Sequence, residues 1–378
     1  MRRMGIAVTL AVVVAAGCTP VVPRPTVRFA VLGGVYYSAR GDTAVEGALV
    51  EASEATLRRA VADLNRREQV DFVLVAGDLL ARAEPVSLDR ARAALDDLRV
   101  PYFVVLGDYD GPAPPTAAAE GPAKAPVAEA PREAAAQPAV EGPAEPPTEM
   151  PSGTAVGRRP APHGEGGVSR STVLWAFQGH GIDGPQGYWV RKVPPGVVVV
   201  GLDTARPGRR AGHVNPQQLA WLDATLGNHA GQMVVVVAHH GLVPLHPLDE
   251  GEAWSHLMVD NAAEVREVLE RHPNVVLVVT AHHHLAGGRV AGRIVYLASP
   301  SLSVWPMAYH LVRVDREQAE AVWISPAPDE VAQQALERLL ASQTLRGVFP
   351  KGEDGDTACV RLFGQKKMET YRLPAIRP

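Results

Sequence analysis

The stretch Asp71-Phe72-Val73-Leu74-Val75-Ala76-Gly77-Asp78 decides the fold class. It is a β-rich apolar run that stops at a glycine and then presents a carboxylate. Two further runs also stop at glycine, one of them again presenting a carboxylate. Val27-Arg28-Phe29-Ala30-Val31-Leu32 runs into Gly33-Gly34, and Tyr102-Phe103-Val104-Val105-Leu106 runs into Gly107-Asp108. Between these runs, Leu57, Val61 and Leu64, then Leu88, Leu95 and Leu98, recur at helical spacing. Alternation of strand and helix predicts an α/β domain, in which sites form at the carboxyl ends of the strands.

A second set of elements lies further along. Tyr188 to Val193 reads as a strand, and Val197 to Val200 and Val234 to Val237 read as buried strands. A helix is predicted from Asn215 as N-cap, with Pro216 in the first turn and Gln218 completing a capping box. Leu219, Leu222 and Leu226 form its face, and Gly227 stops it. Asn261 with Glu264 caps the next helix, whose face includes Val265, Val268 and Leu269. Val275 to Val279 leads into His282-His283-His284, and Ile294–Leu297, Tyr309–Val314 and Ala321–Ile324 complete the set. No repeat at solenoid period is present.

Residues 111 to 167 break the pattern. They are Pro, Ala, Glu and Gly with almost no large apolar side chains, and cannot bury enough surface to offset their ordering entropy. The segment is expected to be a disordered, partly polyproline insertion inside one domain that runs from 27 to 325. An extension, 326–378, begins with a helix carrying Val331, Leu336, Leu339 and Leu340, and its remainder cannot be placed.

The N-terminus reads as an export signal. Arg2 and Arg3 precede an apolar run from Ile6 to Ala16 that is too short to span a bilayer, and Ala16-Gly17 precede Cys18. The expected arrangement is a lipoprotein signal peptide over 1–17, lipidation of Cys18 and a tether over 18–26. An ordinary cleaved signal or a single-span anchor is the alternative. Thr19 is not the aspartate associated with inner-membrane retention, so the chain is expected in the bacterial cell envelope, attached to the outer membrane through its lipid. Cys359 then has no partner and is expected to be a buried structural thiol. With 37 basic against 41 acidic residues, the charge balance gives no reason to expect nucleic acid as the partner.

Eight polar residues stand at strand ends: Asp78, Asp108, Asp110, His239, His240, His282, His283 and His284. Imidazoles and carboxylates converging there suit a divalent transition ion such as zinc, manganese or iron. The alternative is a set of hydrogen-bonded structural side chains.

Taken in order, Gly77-Asp78, Gly107-Asp108-Tyr109-Asp110, Ala238-His239-His240 and Ala281-His282-His283-His284 resemble the motifs of the calcineurin-like metallophosphoesterases, in particular their cyclic-nucleotide phosphodiesterase branch. Leu202-Asp203-Thr204, Gln218 to Asp223 and Ser299-Pro300-Ser301-Leu302 resemble further family stretches, so the likeness covers Val27 to Asp315 apart from the insertion. It implies a four-layer α/β/β/α metallophosphoesterase sandwich. It also implies two metal ions at the strand ends that activate water for in-line attack on phosphorus, with a histidine as general acid.

The chain departs from that pattern in its first and third motifs. The family's first aspartate and histidine fall on Gly34 and Tyr36, its asparagine on Asp108, and its acid histidine on Tyr109. The resemblance therefore implies one complete ligand set, Asp78, Asp108, His239 and His282. The other set, Gly34, Tyr36, Asp78 and His284, is damaged, and Tyr36 or Asp42 would have to repair it. One divalent ion is expected rather than two. Three functions follow: a lipid-anchored, slow or single-metal phosphoester hydrolase acting on a phosphorylated small molecule; a non-catalytic metal- or phospho-ligand-binding relative; or an envelope interaction protein. The oligomeric state is not legible.

Overall fold

The computed structural model of the chain describes residues 26–41, 44–111, 167–251, 254–342, 357, 363 and 368–372. Cys18 with its signal peptide, most of the tether and of the insertion, Asp42 and Cys359 lie outside the described residues.

The first sheet grows from β1 (Val27–Leu32), β2 (Phe72–Ala76) and β3 (Tyr102–Val105), which run parallel. Helices α1 (Ser53–Leu64) and α2 (Pro85–Asp96) make the two crossovers. α3 (Arg170–Ala176) precedes the second sheet, which is built from β4 (Trp189–Val193), β5 (Val197–Gly201), β6 (Met233–Val237), β7 (Val275–Thr280), β8 (Gly287–Ala291) and β9 (Ile294–Ala298) in the order β4-β5-β6-β7-β9-β8. Its inner four strands are parallel, with α4 (Pro216–Asn228) and α5 (Ala262–Arg271) as crossovers. The chain then returns: β10 (Tyr309–Val314) pairs antiparallel with β1, and β11 (Gln318–Ile324) pairs with β10. After α6 (Asp329–Leu340), β12 (Met368–Arg372) closes that edge against β11. The extension that composition left unplaced thus supplies a strand of the first sheet.

Period-two alternation explains the layering. Val197, Val199, Val235 and Val237 share a core with Phe29, Leu74 and Val104 of the first sheet. Val198, Val200, Val234 and Val236 pack instead with Leu222 and Leu226 of α4 and Val265 and Leu269 of α5. Two sheets face each other and helices cover their outer faces, giving the α/β/β/α sandwich. Fully burying each such valine or leucine is worth about 1.5–3 kcal/mol. Trp189 crosses between the sheets, its indole N–H donating to Val104 O at 2.8 Å. Among the described residues, no helix is long and apolar enough to cross a membrane.

Two caps differ from expectation. Asn215 does accept from Gln218 N at 2.8 Å, but the Gln218 side chain does not return the bond. It is buried and pairs with the Asp203 backbone, accepting from its N and donating to its O, both at 2.8 Å. Asn261 makes no cap bond; its amide clamps the Val214 backbone at 3.0 and 2.8 Å. In both cases a strand-end loop offers the amide two complementary partners where the helix N-terminus offers one. α4 also runs one residue past Gly227, to Asn228. Three elements, α3, β8 and β12, lack a readable periodic signal. α3 is 7 residues long, and β8 has no buried residue.

Candidate metal centre

The carboxyl ends of β2, β3, β6 and β7 meet at one edge of the sandwich, and each contributes a side chain there: Asp78, Asp108, His239 and His282. All four are buried. His239 Nε2 lies 3.3 Å from Asp78 Oδ2, 3.2 Å from Asp108 Oδ1 and 2.9 Å from His282 Nδ1. His282 Nδ1 lies 3.9 Å from Asp78 Oδ2 and 3.5 Å from Asp108 Oδ1. These separations, 2.9–3.9 Å, are of the size expected between donors that share one divalent ion at about 2.0–2.2 Å. Asp108 Oδ2 is buried without a hydrogen-bond partner among the described residues, which an ionised oxygen tolerates only beside a cation. The residues present fit one divalent ion.

Local backbone makes the convergence possible. Gly107 has no side chain where a Cβ would run into the Asp78 carboxylate. His239 Nδ1 faces the Ala76 carbonyl at 2.8 Å. A carbonyl can only accept, so Nδ1 carries the hydrogen and Nε2 is turned to the site. Four non-glycine residues have positive φ among those described, and three of them are Tyr36 (46°), Asp78 (51°) and His284 (58°). Strain gathered at one spot is a mark of a functional site.

Burial and charge oppose one another across the cluster. Burial alone would raise the Asp78 carboxyl, but the charge and hydrogen bonds of His239, and then of His282, hold it well below the usual carboxylate range. Burial would lower His239, but Asp78 and Asp108 outweigh it and push the imidazole well up. Burial and the Asp78 charge raise Asp108 to about 7. Without metal, a proton on His239 Nε2 is shared among the atoms that would hold the ion.

The second ligand set does not fit a metal. The Tyr36 hydroxyl donates to Asp78 Oδ2 at 2.9 Å and lies 3.0 Å from His284 Nε2. Its one hydrogen is committed to Asp78, so His284 Nε2–H donates to it. Burial, then the Asp78 charge, push the Tyr36 phenol well up, so it stays neutral rather than serving as an anionic ligand. At Gly34 (φ +47°), a Cβ would meet Ser301 Oγ at 2.7 Å and His284 Nε2 at 2.9 Å. Ser301 Oγ is fixed there, donating to Gly34 O at 2.6 Å and accepting from Ser303 N and Val304 N at 3.0 Å.

The other strand-end residues have structural partners. His240 lies close to Asp108, His239 and His282, yet both its nitrogens are engaged. Nε2 donates to Arg210 O at 2.7 Å, and Nδ1 accepts from Thr204 Oγ1 at 2.8 Å. His283 turns away to Asp249, 3.1 Å distant. Asp110 accepts from Leu80 N and Gly107 N, both at 2.9 Å, and so locks two strand-end loops together. Tyr109 donates its backbone N–H to Asp78 Oδ1 at 3.1 Å and sets its ring edge-on to Tyr36, 5.2 Å between centroids. Burial, then the Asp78 charge, raise its phenol to about 12.

A cavity of about 120 Å³ opens onto these residues, lined among others by Tyr36, Tyr109, Arg210, Trp254, His256 and His282. Phe363 and Leu339 from the C-terminal extension also line it. Sequence reading missed Ser301, Thr204 and Arg210 as parts of this site. Ser301 and Thr204 lie in stretches whose resemblance is legible, but nothing in a sequence says which backbone a hydroxyl will hold. Arg210 sits in a loop with no periodic signal.

The family model for the calcineurin-like phosphoesterases matches residues 40–286, beginning beyond Gly34 and Tyr36. A Synechococcus sp. protein named "Probable cyclic nucleotide phosphodiesterase" is 23% identical over 240 residues, which is 63% of this chain and 68% of that protein. A 3′,5′-cyclic-nucleotide phosphodiesterase of Nostoc sp. is 31% identical over 91 residues, 24% of this chain and 32% of that protein. Among solved structures, a dimetal phosphatase from Danio rerio superposes with a TM-score of 0.53 at 16% identity, covering 80% of this chain and 97% of the other. That last likeness is one of fold.

Proposed function

Since the chain belongs to the calcineurin-like phosphoesterase family, we propose that it hydrolyses phosphodiesters of small molecules, using one divalent ion where the two-metal pattern would use two. The observation that carries this is the convergence of Asp78 Oδ2, Asp108 Oδ1, His239 Nε2 and His282 Nδ1 within 2.9–3.9 Å of His239 and His282 nitrogens. An ion held by these atoms supplies Lewis acidity toward a phosphoryl oxygen and lowers the pKa of water. The chain's own residues do the rest. His239 is held in one tautomer by Ala76 O. Tyr36 keeps Asp78 Oδ2 and His284 hydrogen-bonded. Tyr109, at about 12, keeps its proton at neutral pH and can hydrogen-bond a leaving oxygen. It surrenders that proton less readily than a histidine would, a deficit of about 10²–10⁴-fold where a general acid is needed. Aryl phosphodiesters, whose leaving group needs little protonation, are therefore the better substrates.

Initial rates on an aryl and an alkyl phosphodiester test this, for the native chain and for His239→Ala and Asp78→Asn. The aryl substrate should turn over slowly, below about 10 s⁻¹, the alkyl substrate should turn over more slowly still, and both variants should be inactive. Activity untouched by His239→Ala would refute the assignment. A second reading is favoured by the Tyr36 plug and by Tyr109: a relative that binds metal and phosphate without turnover. It gains if the native chain holds metal but cleaves neither substrate. Lipid attachment at Cys18, and with it an outer-membrane address, is part of the proposal. Intact-mass measurement on the membrane fraction tests it, and an unmodified Cys18 would remove it.

A further inference from the structure

We infer that Leu339, on α6 of the C-terminal extension, sets the size of substrate that the metal centre admits, so that the site takes a phosphodiester with a small ester group and turns away a nucleoside. The inference rests on the hydrolytic reading and names its substrate class. Leu339 and Phe363 line the same cavity as Tyr36, Tyr109, His282 and His284. Leu339 is 2% exposed and Phe363 4%, and both belong to one packed cluster with Tyr36, Val45, Trp254 and Val304. The apolar wall of the cavity is thus assembled from segments far apart in sequence, and the extension supplies two of its side chains.

The space is small. The cavity is about 120 Å³, below the range of about 300–1,000 Å³ typical of pockets that enclose small-molecule ligands. It has room for a phosphoryl group with an ester of a few carbon atoms, and not for a base and sugar as well. Arg210 and Glu46 line it with opposite charges, so together they add no net charge. Selection between esters of equal charge then falls to shape and apolar contact.

Leu339 is held in place from several sides. Ala335, one turn earlier on α6, packs with Leu49 and Met307. Arg338 Nη2 donates to Glu51 Oε1 at 2.5 Å, and the Ser342 hydroxyl donates to Glu46 Oε1 at 2.6 Å. Both bonds tie the end of α6 to the segment that precedes α1. Gly47, in that segment at φ +75°, lies so close that a Cβ there would meet Leu339 Cδ1 at 3.2 Å. Leu339 therefore has no room to retreat toward that segment and admit a larger group. In a close-packed wall small differences in size count, and one methylene more or less is worth about 10–200-fold in discrimination.

The test is a pair of phosphodiesters that share a nitrophenyl leaving group and differ in the other ester, methyl in one and thymidine in the other. The metal-loaded native chain should prefer the methyl ester by at least about tenfold in kcat/KM. Leu339→Ala should remove most of that preference with metal content unchanged, and Leu339→Met, which conserves volume, should keep it. Leu339→Val should move the ratio the same way by less, and it serves if Leu339→Ala does not fold. A leucine with a merely structural role would lower both rates together and leave their ratio alone. A native chain that cleaves the thymidine ester as well as the methyl ester, or a ratio untouched by both smaller side chains, overturns the inference. If the native chain cleaves neither ester, the hydrolytic reading falls, and calorimetric binding of methyl phosphate and thymidine monophosphate to the same proteins reads the wall instead. Methyl phosphate should then bind more tightly to the native chain, with the gap narrowed in Leu339→Ala; equal affinities, or binding of neither, overturn the role of Leu339.

Discussion

Tyr36 donates its hydroxyl hydrogen to Asp78 Oδ2 across 2.9 Å. A neutral phenol thus holds the same carboxylate oxygen that faces His239 Nε2 at 3.3 Å. The consequence is asymmetry. One half of the strand-end cluster is a set of converging ligands, and the other is a closed hydrogen-bonded plug of Tyr36, His284 and Asp78.

Removing the hydroxyl alone separates these roles. Tyr36→Phe should leave metal content unchanged, because it adds no ligand. It should lower stability by about 1.5–3 kcal/mol, the range for a hydrogen bond to a charged group, read from denaturant unfolding of the metal-free protein. Unchanged stability would mean that the bond does not hold the plug.

Restoring the first motif should fail sterically. Gly34→Asp places a side chain at φ +47°, against Ser301 Oγ and His284 Nε2. A loss on the order of 1–3 kcal/mol is expected from the backbone conformation, without gain of metal. A stable Gly34→Asp protein holding an extra ion would show that Ser301 and Tyr36 move aside readily.

Metal affinity should depend on pH through Asp108. Its carboxyl, at about 7 in the metal-free chain because of burial and the Asp78 charge, must lose its proton to bind an ion. Below pH 7 affinity therefore falls as pH falls, about tenfold per pH unit for each proton released. Asp108→Asn should bind more weakly at high pH with a slope shallower by one proton. Equal slopes would remove Asp108 from the ligand set.

Stability has its own titrating group away from the centre. Burial lowers His310, on β10, to about 3, and its Nδ1 has no hydrogen-bond partner among the described residues. An unfolded histidine titrates near ~6.5. The folded value is depressed, so the contribution is fully present above about pH 6.5 and is lost as pH falls toward 3. In that window the native chain should lose about 1.4 kcal/mol per pH unit more than His310→Leu. Parallel stability curves would show that His310 is protonated in the folded state.

The two sheets are legible because valine-rich runs stop at glycine or alanine, in most cases beside a polar residue, a signal independent of distant contacts. The site is legible to the extent that each ligand directly follows a strand: Asp78, Asp108, His239 and His282 need only the strand ends to converge. What cannot be read locally is competition for a side chain. Gln218 and Asn261 look like capping residues, yet each amide finds two backbone partners on a neighbouring loop. His240 looks like a ligand until Thr204 and Arg210 O claim its nitrogens. β12 has no pattern of its own and forms only because β11 presents an open edge.

Metal stoichiometry tests the central claim most directly. Elemental analysis of the purified chain, loaded with zinc or manganese and then dialysed, should give close to one ion per molecule, and His239→Ala should give none. Two tightly held ions in the native chain would contradict the account, because Tyr36 would then have to leave Asp78 and His284 to admit the second.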